Sequence, residues 1–307
     1  MRNNKPKIIV ILGPTASGKT SLAVNMAREF DGEIVSADSR QVFRGMDVGT
    51  GKDLAEYVEI KYHMIDVAEP MEDYSLAHYK SGVEKAIDDI VRRGKQPFLV
   101  GGSGLYLQSV VDNYALSEVG RDDGLREELE KLSVSDLFER LEKINPLFAS
   151  KINESDAKNK RRLVRYIELQ SSDQKSETPK LEPQKYECLV LGLDPGKEVV
   201  DAKIYKRLID RLEKEDMVKE IDDLHSKGVT WQRLKDFGLE YRFVAEYLQE
   251  KIDYETMVER LNIAIRQFAK RQMTWFRRWE KQGRHIYLLN FDRKIEDARA
   301  KIQKFLS

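Results

Sequence analysis

The stretch Ile8-Ile-Val-Ile-Leu-Gly-Pro-Thr-Ala-Ser-Gly-Lys-Thr20 decides the fold. Its first five residues form a β-branched apolar run, the pattern of a parallel strand buried on both faces. Glycines close that run. Residues 21–30 then carry Leu22, Met26 and Phe30 at every fourth position, one face of a helix. Between strand and helix, Gly13-Pro-Thr-Ala-Ser-Gly-Lys-Thr20 fits G-x-x-x-x-G-K-S/T, a loop whose backbone N–H groups curl round phosphate oxygens. The helix N-terminus adds partial positive charge, Lys19 adds a full one, and the Thr20 hydroxyl can ligate Mg²⁺. The loop therefore grips a di- or triphosphate.

Outward from this loop, residues 33–37 read as a second strand ending at Asp38, and residues 62–67 as an extended segment. Ser75 is placed to cap a helix carrying Leu76, Tyr79, Val83, Ala86 and Ile90, which Gly94 ends. Residues 97–100 form the next strand. Strand and helix alternate as in a parallel sheet covered on both faces. Residues 115–185 change character to short charged amphipathic helices, read over 125–132, 134–144 and 156–170, with a polar loop over 171–180. This segment reads as a helical insertion into a core made of residues 1–114 and 186–307. Residues 186–193 return to the sheet, followed by a mostly helical region with a long helix over 254–281, a short strand over 285–289 and a terminal helix. The fold class is α/β: a P-loop NTPase-like parallel sheet flanked by helices, with a helical insertion and a helical C-terminal region.

Composition bounds the partners. The 53 Lys and Arg balance 53 Asp and Glu over 307 residues, which excludes a uniformly cationic coat and requires any nucleic-acid contact to be a local patch. Cys188 is the one cysteine, inside the apolar run that ends at Leu193, so it reads as strand packing in a reducing compartment. The apolar run at 8–12 is too short for a signal peptide or a membrane span. The expectation is a cytoplasmic protein with no membrane partner, and a monomer, since no heptad or free apolar stripe is evident. His63, His78, His225 and His285 lack metal-ligand spacing, and no zinc site is expected.

The phosphate loop alone does not choose among an ATPase, a small-molecule kinase and other users of polyphosphate. An NTP hydrolase would end a buried strand in an acid that holds Mg²⁺ and an attacking water. Here the strand over 97–100 runs into Gly101-Gly-Ser103 instead, which counts against a motor ATPase. Asp38 is the acid that does end a strand, and in a parallel sheet that end opens into the same crevice as the loop. It is the candidate base or ligand, against the plain alternative of an Asp capping a turn. Ser103 offers a hydroxyl in a second glycine turn. Arg161 and Arg165 share a helix face in the insertion, with Arg162 beside them, as phosphate contacts or as an ordinary solvated surface. On the long C-terminal helix, Leu261, Ile265, Phe268, Gln272, Trp275 and Trp279 trace one line, and Arg266, Lys270, Arg277 and Lys281 another. Residues 259–287 hold eight Lys or Arg against two acids. Such a stripe beside aromatics suits RNA, while core tryptophans under a solvated basic face would give the same pattern.

Taken together, the loop at 13–20, Ser36-Ala-Asp-Ser-Arg-Gln-Val-Phe-Arg-Gly-Met-Asp-Val-Gly-Thr50, His63-Met-Ile-Asp66, Val100-Gly-Gly-Ser-Gly-Leu-Tyr106 and Arg266-Gln-Phe-Ala-Lys-Arg-Gln-Met-Thr-Trp-Phe-Arg-Arg278 resemble the bacterial tRNA dimethylallyltransferase family over most of the chain. The resemblance implies transfer of a dimethylallyl group from dimethylallyl diphosphate to N6 of the adenosine 3′ of the anticodon, in tRNAs reading codons that begin with U. It implies that Gly13, Pro14, Thr15, Ala16, Ser17, Gly18, Lys19 and Thr20 hold the diphosphate rather than ATP, with Mg²⁺ on Thr20. Asp38 is implied as base, Ser103 (where Thr is usual) as the hydroxyl that positions the base, and Arg242 as a further leaving-group contact. Asp38, Ser39, Arg40, Gln41, Ser103, Arg126, Arg161, Arg162, Arg165, Arg266, Lys270, Arg271 and Arg277 are implied to contact the anticodon stem-loop. Two positions depart from the family: Arg40 replaces a commonly apolar residue, and Glu240 stands where glycine precedes Tyr-Arg. The Glu240 side chain must then turn outward or alter activity. A P-loop kinase of a small metabolite and a non-catalytic RNA-binding protein are the competing readings.

Overall fold

The computed structural model describes residues 5–116, 122–171 and 181–307. The chain forms two compact units, one of Met1–Val111 with Gln184–Ser307 and one of Asp112–Pro183.

In chain order the elements are β1 (Lys7–Leu12), α1 (Lys19–Glu29), β2 (Gly32–Ala37), β3 (Tyr62–His63), α2 (Leu76–Arg92), β4 (Gln96–Gly101) and α3 (Gly104–Val111). The second unit supplies α4 (Asp123–Leu129), α5 (Val134–Ile144), α6 (Pro146–Ala149), α7 (Glu154–Ala157) and α8 (Lys160–Ser171). The first unit resumes with β5 (Glu187–Gly192), α9 (Lys197–Glu213), α10 (Met217–Ser226), α11 (Trp231–Phe237), α12 (Leu239–Leu248), α13 (Tyr254–Lys281), β6 (Tyr287–Leu288) and α14 (Lys294–Leu306). Its sheet is six-stranded in the order β3-β2-β4-β1-β5-β6, and the paired strands run parallel.

β1 sits inside the sheet because both of its faces are apolar. Ile8, Val10 and Leu12 enter the core layer that holds Val35, Leu99 and Val190, whereas Ile9 and Ile11 enter the opposite layer with Ile34, Phe98 and Leu189. Each such fully buried side chain contributes about 1.5 to 3 kcal/mol. Register then aligns the strand ends: Gly101 pairs with Leu12 on one side and with Ala37 on the other. The three loops that leave β1, β2 and β4 therefore emerge side by side at one edge of the sheet, where such folds bind ligands.

The reading of 62–67 as one extended segment needs correcting: strand pairing stops at His63, because Met64 (φ 64°) and Asp66 (φ 55°) adopt left-handed backbone. Ser75 caps α2 as expected, its hydroxyl accepting from His78 N at 3.1 Å. The strand read over 285–289 pairs only at Tyr287–Leu288.

The second unit has its own core, in which Leu137 and Leu141 of α5 bury against Leu163, Val164 and Ile167 of α8. The helix expected over 156–170 divides in two. Asn159 interrupts it and accepts from Arg162 N at 3.2 Å through its side chain, capping α8. The helix expected over 125–132 begins and ends earlier, since Asp122 Oδ1 caps it at Leu125 N, 2.9 Å away. Of the polar loop read over 171–180, Ser171 is the last residue of α8, and residues 172–180 lie outside the described residues.

Glu33, near the start of β2, is buried and takes Arg93 Nη2 and His63 Nε2, each 2.7 Å from Oε2. The Arg93 guanidinium, helped by His63 and opposed by burial, brings its pKa down to about 2. A carboxylate held low stabilises the fold above its unfolded value near 4.5 and loses that contribution as pH falls toward 2. Glu33→Gln is expected to cost about 1 to 2 kcal/mol at pH 7 and to flatten stability below pH 4.5. Urea unfolding at pH 7 and near pH 3.5 checks this; equal losses at both values would remove Glu33 from the role.

Candidate active site

A crevice of about 470 Å³ opens where the strand-end loops meet. Thr15, Ala16, Gly18, Lys19 and Thr20 line its floor, Asp38, Ser39, Arg40 and Gln41 one wall, and Arg207 and Arg211 of α9 the other.

The phosphate loop has the backbone its glycines require. Gly18 stands at φ 83° and hands the chain to α1, whose first residues are Lys19 and Thr20. Lys19 Nζ lies 3.3 Å from Pro14 O, folded back over the loop. Burial pushes its pKa down to about 8, against the pull of the Asp38 carboxylate.

Gln272 of α13 fastens this loop to the next one. Its Oε1 accepts from Thr15 N at 2.9 Å, and its Nε2 donates to Gly102 O at 3.0 Å. Gly102 has no room for a side chain, because a Cβ there would run into Gln272 Nε2. Trp275, one turn on, packs over Gly104 in the same way. The line of residues read along α13 thus contains the clamp. Gln272 and Trp279 are buried, Phe268 and Trp275 half-buried, and the core side of the helix also includes Met257, Ala269 and Phe276. Arg266, Lys270, Arg271 and Arg277 are exposed on the other side, with Arg266 3.9 Å from Asp201 and Arg277 3.7 Å from Asp194.

Asp38 leaves β2 in a tight turn in which its Oδ1 accepts from Arg40 N at 2.9 Å. Ser103 ties that turn to the β4 loop, accepting from Ser39 N at 3.1 Å. Gln41 accepts from Ser36 Oγ at 2.9 Å and donates to Gly51 O at 3.0 Å, which fixes the far side of the turn. The loop beyond is anchored from below, where Glu220 accepts from Asp47 N, Val48 N and Gly49 N at 2.7, 2.6 and 3.0 Å and from the Tyr241 hydroxyl at 2.8 Å.

Two positions that the resemblance singles out, Arg242 and Glu240, lie as follows, and of the two alternatives for Glu240 the outward turn is the one the structure excludes. Arg242 is not among the residues lining the crevice; it is exposed on α12, where its Nε meets Glu246 at 3.1 Å, one helical turn away. Glu240 does not turn outward. Its side chain is 8% exposed, with Oε2 3.7 Å from Arg40 Nη1 and Oε1 3.9 Å from Arg211 Nη1. The two departures from the family pattern therefore face each other as an ion pair.

The cations that do line the crevice opposite Asp38 are Lys203, Lys206, Arg207 and Arg211 of α9, which sequence reasoning passed over. Arg207 Nη2 donates to Gly51 O at 3.3 Å and pairs with Asp53. Arg211 is buried, and burial, with Arg207 nearby, lowers its pKa. A signal was present: Lys203, Arg207 and Arg211 recur at every fourth position of a helix that follows a sheet strand.

In the second unit the candidate RNA-contacting arginines are engaged within that unit. Buried Glu168 takes Arg126 Nε at 2.6 Å and Arg165 Nη1 at 3.2 Å, and Arg162 pairs with Asp156. Arg161 is exposed. Among the described residues no group of three or more His, Cys, Asp and Glu could hold a metal ion.

The IPP transferase family model matches residues 41–279, and an isopentenyl transferase model matches residues 6–64. The tRNA dimethylallyltransferase 1 of Geotalea uraniireducens is 44% identical over 288 residues, 93% of each chain. The tRNA dimethylallyltransferase 2 of Syntrophotalea carbinolica is 45% identical over 92% of this chain and 94% of its own. Among solved structures, the tRNA isopentenylpyrophosphate transferase of Bacillus halodurans superposes with a TM-score of 0.72 at 32% identity, covering 98% of this chain and 97% of that one. A eukaryotic dimethylallyltransferase, solved in a study of its action on tRNA, gives 0.79 at 28% identity over 93% of this chain and 74% of that one. The phosphate loop, the strand-end aspartate and the clamp from α13 thus stand in a chain that belongs to the IPP transferase family.

Proposed function

We propose that the protein transfers a dimethylallyl group from dimethylallyl diphosphate to N6 of the adenosine 3′ of the anticodon, in tRNAs reading codons that begin with U, giving N6-isopentenyladenosine and diphosphate. One observation carries the reading: the phosphate loop and Asp38 share a crevice that β4 lines with Val100 and Gly101, and the loop after β4 runs on through Gly102 and Ser103 with no acid at the place where a hydrolase carries one.

The chemistry assigns each group a task. The N6 lone pair is delocalised into the purine ring, so the amine needs a carboxylate to take its proton, and Asp38, at the end of β2 on the crevice wall, is assigned that task. As the N6–C1 bond forms, the C1–O bond breaks and its electrons leave on the diphosphate. Lys19, the N–H groups of Ala16, Gly18, Lys19 and Thr20 and the guanidinium groups of Arg207 and Arg211 stabilise that growing negative charge. Ser103 and Ser39 hold the Asp38 turn at the level of the phosphate loop. Half-buried Phe268 and exposed Leu105 supply apolar surface beside these loops.

A hard oxygen donor set suits Mg²⁺, which keeps several waters and binds through one or two protein groups plus substrate phosphates. Thr20, lining the floor beside Lys19, would hold it. The ion would neutralise the diphosphate. An extruded adenine is the substrate form such a crevice admits, and Ser39, Arg40, Gln41, Arg126, Arg161, Arg162, Arg165, Arg266, Lys270, Arg271 and Arg277 are the proposed contacts to the anticodon stem-loop. The ion pairs holding Arg126, Arg162 and Arg165 make them pre-ordered donors to a phosphate rather than mobile ones. Among the described residues no helix is long and apolar enough to cross a membrane. A cytoplasmic monomer is the accompanying proposal.

The test is transfer of labelled dimethylallyl from its diphosphate, with Mg²⁺, to an anticodon stem-loop whose adenosine follows an anticodon ending in adenosine. Label in the RNA and release of diphosphate in equal amounts are expected. A stem-loop that binds without acquiring label would instead favour a non-catalytic RNA-binding protein.

A further inference from the structure

Glu240 holds one guanidinium at each carboxylate oxygen, Arg40 at 3.7 Å and Arg211 at 3.9 Å. Both separations are too long for hydrogen bonds and short enough for ion pairs. The carboxylate and the Arg211 side chain are each 8% exposed, so their attraction is screened far less than a surface pair.

The two arginines serve different ends of the crevice. Arg40 lies two residues after Asp38, and its guanidinium sits over the Phe268 ring, 5.7 Å from the centroid. Its backbone N–H donates to Asp38 Oδ1, so the placement of Arg40 and that of the Asp38 carboxylate are linked. Arg211 stands one turn beyond Arg207, across the crevice from that wall. Its Nε and Nη2 are buried without a hydrogen-bond partner among the described residues, and its other acidic neighbour, Asp53, is 3.9 Å away. Arg211 thus has donors in reserve beside the phosphate loop. An anion arriving there competes with Glu240 for it.

We propose that Glu240 is a positioning residue that couples the diphosphate end of the crevice to the nucleobase end. When Arg211 turns its charge to a diphosphate, the Glu240 carboxylate acts on Arg40 alone and tightens the turn that presents Asp38. Coupling of this kind is reciprocal: diphosphate tightens RNA, and RNA tightens diphosphate by the same factor. The proposal rests on the transfer function above for the identity of the two ligands.

The experiment measures affinity for an anticodon stem-loop RNA with and without inorganic pyrophosphate and Mg²⁺, using the full chain and the variants Glu240→Gln and Arg40→Met. Pyrophosphate is expected to tighten RNA binding by roughly fivefold in the unaltered protein. In both variants that ratio is expected to fall below about twofold. Glu240→Gln keeps the shape and removes the charge; Arg40→Met leaves the Glu240–Arg211 pair intact, and because Arg40 is itself a proposed RNA contact the variant is read by the ratio of the two RNA affinities and not by either one alone. A purely structural role would lower thermal stability or both affinities and leave the ratio where it was. An unchanged ratio in the variants, or no effect of pyrophosphate in the unaltered protein, overturns the proposal. Should Glu240→Gln not fold, Arg40→Met decides alone. Coupling without label transfer would count against the transfer function and leave the proposal standing, whereas a chain that binds no stem-loop removes both.

Discussion

Asp38→Asn is expected to slow dimethylallyl transfer by about 10²- to 10⁴-fold, the range for loss of a positioned general base. The affinities for RNA and for pyrophosphate should stay within a few fold. The separation follows from how the turn is built. Asp38 Oδ1 accepts from Arg40 N at 2.9 Å, a bond that the amide oxygen of asparagine retains, so the backbone that carries Ser39, Arg40 and Gln41 keeps its course. Ser103 continues to accept from Ser39 N. What the substitution removes is an acceptor able to take a proton from N6 as the carbon–nitrogen bond forms. Single-turnover transfer to a labelled stem-loop, measured beside a binding assay, distinguishes the two effects. If the asparagine variant kept about a tenth of the rate or more, Asp38 would be a turn-capping residue and the base would have to be sought elsewhere in the crevice.

The same turn shows why some of this site was legible in the amino-acid sequence and some was not. The phosphate loop is a local object: its glycines, lysine and threonine are adjacent, and the strand before it announces burial on both faces through Ile8 to Leu12. Asp38 could be assigned to the same crevice because parallel strands end together, which the register of Gly101 with Leu12 and Ala37 displays. The α9 cations were not legible in this way. Their position depends on β5 pairing beside β1, which sends the following helix across the phosphate loop, and the fourfold spacing of Lys203, Arg207 and Arg211 marks a shared face without saying which site that face meets. Arg242 shows the converse. Its motif position points to the leaving group, whereas its side chain in the structure lies exposed on α12 and meets Glu246 one turn on. Glu240 lies two residues before it, on the side of the helix that faces the core, and so enters the crevice instead. On α13, Phe268 and Trp275 were read as equal to Leu261 and Trp279, although a straight helix drifts away from any fixed line. Ala269 and Phe276 share the buried side.

Lys19→Met is expected to lower kcat/KM for dimethylallyl diphosphate by about 100-fold or more, the cost of deleting one charged donor to a leaving group. Asp38→Asn acts on the proton, whereas this change acts on the departing diphosphate. It should therefore weaken pyrophosphate binding as well, which Asp38→Asn does not. The charge on Lys19 also has a pH limit of its own. Burial draws its pKa from 10.5 down to about 8, with Asp38 working in the opposite direction. The ammonium is therefore intact below pH 8 and is lost as the pH rises through that value, so kcat/KM, which reports the free enzyme, should fall above about pH 8. The plateau of kcat should extend to higher pH, because a bound diphosphate favours the charged amine. Lys19→Arg keeps a cation that does not titrate in this range and should flatten the alkaline fall even if its geometry lowers the overall rate. Asp38 supplies the largest of the forces holding the Lys19 proton on, so pyrophosphate titrations of Asp38→Asn should show the alkaline fall beginning at lower pH. An alkaline limb that is the same in the unaltered protein and in Lys19→Arg would assign the titration to another group and leave Lys19 as a fixed charge.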